Sequence, residues 1–189
     1  MAMTTEAPSS TPAGSTERGD GIVAGSGPTL VEAYIDFLCP FCDQFEQRSG
    51  AALDRMASDD RITLVYHPVA FLDRLSSGMY STRASAASAC AADGGRFTEF
   101  KDKLFACQPP EGGPGLTNDE LITLGVSVGL TEPEFAQGVE SASYLEWAAF
   151  VTECAVERGV SGVPAVFVNG RPVPPYREII ESAVRSFSS

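Results

Sequence analysis

Residues 30–38 (LVEAYIDFL) run straight into Cys39-Pro40-Phe41-Cys42, and no other feature restricts the fold as much. The run is apolar and aromatic but short, which describes a buried strand. Pro40 then stands where the first turn of a helix tolerates proline, because the amide it lacks has no helical partner there. Phe45, Leu53 and Met56 continue a helical spacing to about Ser58. Residues 61–66 (RITLVY) read as a second strand, stopped by Pro68. Strand, helix, strand with short connections is a βαβ unit, so the two strands are expected to be parallel.

The rest of the chain is helical before it returns to strands. An alanine-rich stretch, residues 73–92, reads as a helix closed near Gly94-Gly95, and residues 96–106 as another. A Pro- and Gly-punctuated loop covers 108–115. Thr117 to Glu120 look like the capped start of a helix to about Val128, and Thr131-Glu132-Pro133-Glu134 starts the next in the same way. A longer helix is expected over 142–158, ending at Gly159. Residues 165–168 are β-rich, Asn169-Gly170 is a strong two-residue hairpin signal, and 171–173 supply the return strand. Residues 176–187 form a last amphipathic helix. The class is α/β, with a helical subdomain on the sheet.

Residues 1–28 hold 20 Ala, Gly, Pro, Ser or Thr and almost no large apolar side chains beyond Ile22 and Val23. Such a segment cannot offset its own ordering entropy, so it is read as a flexible linker or added tail, with 21–24 as a short edge strand. Met1-Ala2-Met3 reads as a trimmed start, upstream of which a signal or anchor would lie. At 189 residues the remainder is long enough for one sizeable core. The balance of 13 basic and 25 acidic side chains, a net charge of −12, argues against nucleic acid and anionic membrane surfaces as partners. No apolar run has the length of a membrane span, and no signal-peptide pattern is seen.

Five cysteines are too few for a small disulfide scaffold, and only Cys39 and Cys42 form a Cys-x-x-Cys. A thiolate at a helix N-terminus is stabilised by free backbone amides and the positive end of the macrodipole. The spacing lets the second thiol reach the first, so Cys39 is the expected nucleophile and Cys42 the resolving thiol. Structural zinc would need a second Cys-x-x-Cys or a histidine pair, and His67 is the only histidine, so no metal is expected. An inert structural disulfide would not need a strand-to-helix junction. Gly162-Val163-Pro164-Ala165 precedes a strand; Pro164 either simply starts it in trans or takes a cis bond that leaves the Val163 backbone open to an extended peptide beside Cys39.

Together the strand into Cys39-Pro40-Phe41-Cys42, the helical insertion, and residues 162–170 (GVPAVFVNG) resemble the DsbA-like thiol–disulfide oxidoreductases. The resemblance covers roughly residues 29–187. It implies a thioredoxin fold, over 29–72 and 159–189, with an inserted helical domain over 73–158. Residues 36–40 (DFLCP) and 66–72 (YHPVAFL) look most like the actinobacterial, extracytoplasmic members, often membrane-anchored. By position, Cys39 matches the family's nucleophile, Cys42 its resolving cysteine and Pro164 its cis-proline. Val163 matches the residue that touches substrate and tunes redox behaviour, and Pro40 and Phe41 fill the dipeptide between the thiols. The resemblance implies oxidation of reduced or unfolded secreted proteins, a membrane partner that reoxidises the pair, no cofactor, and an extracytoplasmic, secreted or membrane-anchored location. No dimerisation domain of the kind isomerases carry is seen, and a monomer is expected.

The chain departs from the family in three places. Phe41 stands where many members have a thiolate-stabilising histidine. Ala33 stands where some carry a buried acid, which leaves Asp36 and Glu32 as candidate proton relays, with solvated or structural roles as alternatives. Related actinobacterial members look to pair a cysteine like Cys90 with one near this chain's Gly138. Without that partner, Cys107–Cys154 is the expected structural disulfide, with Cys90–Cys154 next, and buried free thiols the alternative. His67, at the end of the second strand, is a third relay candidate, although a hydrogen-bonded strand terminus is the favoured reading. Phe41, Phe71, Leu72, Val163 and Tyr176 are candidates for a peptide groove. Against oxidation stand a reductase or isomerase using the same thiols, and a peptide-binding module or chaperone in which the thiols are incidental.

Overall fold

A computed structural model describes residues 7–187. Its centre is a five-stranded sheet in the order β1-β3-β2-β4-β5. β2 (Thr29–Ile35) and β3 (Ile62–Pro68) are the parallel pair expected from the βαβ unit, in register from Thr29 opposite Ile62 to Ile35 opposite Pro68. β1 (Ile22–Ala24) adds antiparallel to β3; β4 (Ala165–Val168) and β5 (Arg171–Val173) add on the other edge. Both faces of β2 are buried, which is why its sequence shows no polar alternation. The β4–β5 turn has positive φ at both Asn169 and Gly170, as a type I′ hairpin requires, and the Asn169 side chain also accepts from the Leu30 amide at 2.8 Å.

The crossover between β2 and β3 is one helical rod made of α1 (Pro40–Phe45), a π-helical turn (Glu46–Gly50) and α2 (Ala51–Ser58). A side chain at Gly50 would collide with the Glu46 carboxylate, so the glycine makes room for an acid that folds back into the core. That carboxylate meets Lys101 Nζ at 2.5 Å. Lys101 lies on α4 (Phe97–Ala106), is 0% exposed, and sits 4.9 Å over the Tyr66 ring, with Asp102 at 2.7 Å and Asp54 at 3.7 Å. Burial works against its charge, but Glu46, Asp54 and Asp102 outweigh it and hold the ammonium charged.

The insertion between β3 and β4 is built around α3 (Tyr80–Asp93), a helix of small residues buried on nearly every side. Its fully buried Ser81, Ser85 and Ser88 hydroxyls all donate, to Asp36, to the Pro68 carbonyl and to the Ser85 carbonyl. The single helix expected over 73–92 is broken: a 3-10 turn (Asp73–Leu75) precedes α3. Ser77 donates to the Gly113 carbonyl, and a Cβ on Gly78 would collide with the Pro114 carbonyl. Helical periodicity cannot register a competing loop from 36 residues downstream in sequence. α5 (Asn118–Ser127) opens on the expected Thr117–Glu120 capping box. α6 (Glu132–Glu140) follows without a Thr131 side-chain cap, and α7 (Leu145–Glu157) and α8 (Arg177–Phe187) complete the chain. Among the described residues, no helix is long and apolar enough to cross a membrane.

The linker expected over 1–28 falls partly on residues 1–6, outside the described residues; from Pro12 onward it is corrected. The Trp147 indole donates to the Gly19 carbonyl at 2.6 Å, His67 meets the Asp20 carbonyl at 2.6 Å, and Val23 donates to Gly14 at 2.8 Å. Composition weighed only the side chains the segment owns. The ordering cost is offset instead by backbone groups and by partners buried elsewhere in the core.

The structure leaves the expected Cys107–Cys154 and Cys90–Cys154 pairs unjoined, with the three cysteines on separate helices or at their ends. Cys90 on α3 lies against Gly138 of α6, and Cys154 on α7 faces the N-terminal segment near Arg18. Cys107 is exposed at the end of α4. A Cβ built on Gly138 would lie 2.9 Å from the Cys90 sulfur and 3.5 Å from its Cβ, at the edge of the roughly 3.5–4.5 Å Cβ separation of a disulfide. Gly138→Cys is therefore expected to bond with Cys90 on air oxidation, the more so because both positions line an open hollow of about 550 Å³. Closing that loop should stabilise by about 2–4 kcal/mol. A non-reducing peptide map without that cross-link would refute the placement.

Candidate active site

Cys39 is the N-cap residue of α1, with φ −76° and ψ 117°, so the chain turns there from extended into helical backbone. Its amide donates to the Asp36 carbonyl at 3.0 Å, and its own carbonyl accepts from Cys42 at 3.0 Å and Asp43 at 3.1 Å. The Cys39 thiol points across to the Val163 carbonyl at 3.6 Å. The Val163–Pro164 bond is cis, and Pro164 leads directly into β4 beside β2. Two segments 124 residues apart in sequence thus meet at one sulfur.

The two thiols are chemically unequal. A hydrogen bond from the Cys42 thiol is the largest influence on Cys39. With the amides of Cys42 and Phe41, it outweighs burial and the Asp36 charge and brings Cys39 down to about 7. Burial pushes fully enclosed Cys42 well up, and the neighbouring Cys39 sulfur adds to that. Around neutral pH Cys39 is therefore the thiol that ionises, while Cys42 keeps its proton.

Asp36 lies at the same junction. It is 0% exposed, and its amide donates to the Cys42 sulfur at 3.4 Å. Its carboxylate accepts from the Leu38 and Leu72 amides, both at 2.9 Å, and from Ser81 at 2.7 Å. Burial drives this carboxyl up to about 6 against the pull of those donors. Glu32 and His67 are not brought to the thiols. Arg158 grips Glu32 through two bonds of 2.7 and 2.6 Å, and His67 stands 3.6 Å from the same carboxylate, its ring stacked on Tyr34. Burial favours the neutral acid there, but His67 and Arg158 overcome it and hold Glu32 below the usual carboxylate range. The bond to the Asp20 carbonyl requires a proton on His67 Nδ1, so the ring serves as a fastening for the N-terminal segment.

Two open hollows of about 680 Å³ each meet at Phe41, and Cys39 lines one of them. Phe41, 67% exposed, forms the ridge between them, and Val163 borders both. One is walled by Phe71, Leu72, Val156 and Val160, with Arg74 and Glu111 among its lining. The other includes Tyr176, Arg48 and Arg177. All five groove candidates read from the sequence therefore line these hollows. Two features escaped the sequence reading. Gln108 touches the catalytic turn and carries no local signal. Lys101 did leave a trace: it occupies a core position of the Phe97, Phe100, Leu104 stripe, where an isolated charge is out of place. Among the described residues, no group of three or more acidic, histidine or cysteine side chains is placed to hold a metal ion.

Residues 18–184 match the thioredoxin family model. Serine/threonine-protein kinase PknE of Mycobacterium tuberculosis is 33% identical over 172 residues, a match that takes in 84% of this chain and 30% of the kinase. The chain thus spans less than a third of the length of that relative. Reduced DsbA of the same organism superposes with a TM-score of 0.73 at 28% identity, covering 88% of this chain and 98% of that one. Its reduced DsbG does so with 0.74 at 29% identity, covering 90% and 95%. The chain therefore belongs to the thioredoxin family, and its fold is that of the DsbA and DsbG structures on which it superposes.

Proposed function

We propose that this protein is an extracytoplasmic oxidase of protein thiols. The observation that carries the reading is the inequality of the two cysteines, a thiolate at the mouth of α1 above a buried, protonated partner. A stabilised Cys39 thiolate equips the pair for thiol exchange, and the oxidising direction is taken from the likeness to DsbA of Mycobacterium tuberculosis. In the first step a substrate thiolate attacks the Cys39 sulfur of the Cys39–Cys42 disulfide. The S–S bond breaks, and Cys42 leaves with the electron pair and takes up a proton. A second substrate thiolate then attacks the substrate sulfur of the mixed disulfide, and Cys39 departs as a thiolate. The substrate gains one disulfide, and two electrons rest on the enzyme pair until a membrane partner removes them.

The substrates are reduced or unfolded secreted proteins, whose extended segments cross the Phe41 ridge and rest against Val163. An extracytoplasmic site of action follows from the chemistry, since newly made disulfides persist in oxidising compartments. No cofactor takes part, and the enzyme works as a monomer.

The test is the reduction potential of Cys39–Cys42, measured by equilibration with glutathione. A value nearer the ~−120 mV of DsbA supports the oxidase, and one nearer the ~−270 mV of thioredoxin assigns a reductase instead. A pair that fails to cycle would leave a peptide-binding module, with the thiols incidental.

A further inference from the structure

The insertion reaches the catalytic turn with one polar side chain. Gln108, in the loop after α4, places its Nε2 3.0 Å from the Phe37 carbonyl and 3.1 Å from the Cys39 carbonyl. Both acceptors are carbonyl oxygens, so the nitrogen and not the oxygen of the amide must face them, and its two hydrogens serve one carbonyl each.

These two carbonyls define the geometry of the turn. The peptide plane between Phe37 and Leu38 is held at one edge by Gln108. At its other edge the Leu38 amide donates to Asp36. The Cys39 carbonyl is the first helical acceptor of α1, shared by the Cys42 and Asp43 amides and by Gln108. Cys39 caps the helix without a side-chain bond of its own, so an outside donor supplies a constraint that the local sequence lacks. Phe105, three residues before Gln108, packs on Phe37 with ring centroids 5.2 Å apart, so the insertion grips the turn through both faces of one residue.

We propose that Gln108 is a positioning residue for thiol exchange: by fixing the Phe37 and Cys39 carbonyls, it sets the orientation of the first-turn amides that hold the Cys39 sulfur. The helical insertion is then part of the redox site and not only its cover. This rests on the thiol-exchange reading above. It extends that reading to a residue that touches neither thiol through its own side chain.

The test uses the full chain with Gln108→Leu, which keeps bulk but removes both donors, and Gln108→Glu, which sets an acceptor against two acceptors. The readouts are the Cys39 pKa from thiolate absorbance, the potential against glutathione, and the melting temperature. Both variants should raise the Cys39 pKa by about 0.5–1 unit. That lowers the thiolate fraction, and with it the alkylation rate below neutral pH, by about threefold to tenfold. The potential should move toward the reducing side in parallel. A lower melting temperature with unchanged Cys39 pKa and potential would make Gln108 a mere strut and overturn the proposal. If Gln108→Leu fails to fold, Gln108→Met, which also lacks both donors and adds no charge, decides it. A wild-type pair that does not exchange thiols at all would sink the functional reading itself, whereas normal wild-type cycling with indifferent variants sinks only the role of Gln108.

Discussion

Cys39→Ser is expected to lower thiol–disulfide exchange by about a thousandfold or more, because no other thiol of the chain is both poised as a thiolate and placed beside the Val163 carbonyl. Cys42→Ser should behave differently. Its Cys39 still attacks a disulfide, but nothing resolves the product, so mixed disulfides accumulate and resolve on a non-reducing gel. The hydrogen bond from position 42 is the largest influence on Cys39. Cys42→Ala should therefore raise the Cys39 pKa more than Cys42→Ser, whose hydroxyl still donates. In the reduced wild type, alkylation at Cys39 should rise with pH through a midpoint near 7, while buried Cys42 stays unreactive across that range. The sign follows from linkage. A depressed thiol pKa stabilises the folded dithiol form above its ordinary value near 9, and that contribution is lost as pH falls through 7. Full exchange activity in the Cys39 variant, or faster alkylation at Cys42, would remove the basis of the mechanism.

Lys101→Met is expected to destabilise the fold by about 3–5 kcal/mol, since it leaves Glu46 charged in the core without its partner. At this chain length that corresponds to a fall of about 6–20 °C in Tm. The loss should shrink in acid. An unpaired buried carboxyl has a raised folded-state pKa, so its burden is absent below the ordinary carboxylate range and grows as pH rises. Denaturant unfolding of wild type and variant at pH 5 and pH 8 measures this directly, with the larger difference expected at pH 8. Adding Glu46→Leu to Lys101→Met should recover much of the loss, because an apolar pair of similar volume replaces a buried ion pair at little cost. An additive double variant would show that the two residues do not act as a unit.

The contrast between these two sites shows what was legible in the residues and why. The βαβ unit, the hairpin at Asn169-Gly170 and the Thr117–Glu120 cap were readable because each is a local rule: a period, a turn conformation, a hydrogen bond within one turn. Cys39 and Cys42 were readable for the same reason, since their chemistry needs only each other and a helix N-terminus. Glu46 carried no such signal. Its meaning depends on Lys101, 55 residues away, and on a glycine one turn along that leaves room for the carboxylate.

The same division runs through the errors. Residues 12–20 looked unable to order because their own side chains bury little, yet the Gly19 and Asp20 carbonyls meet Trp147 and His67. The expected helix over 73–92 ignored a loop that arrives later in the chain to claim its backbone. Pairing of the remaining cysteines is a matter of geometry that their number cannot give, and Cys90 faces a glycine. Of three candidate relays, Asp36 lies at the thiols while Glu32 and His67 are bound to Arg158 and Asp20, a sorting that residue type alone cannot make. Sequence by itself determined the fold class and the place of Cys39 and Cys42 at the mouth of a helix, because those follow from interactions within a few residues. Tertiary structure alone decided which acid, which lysine and which glutamine surround them, because burial and hydrogen-bond reach are properties of segments brought together by the core.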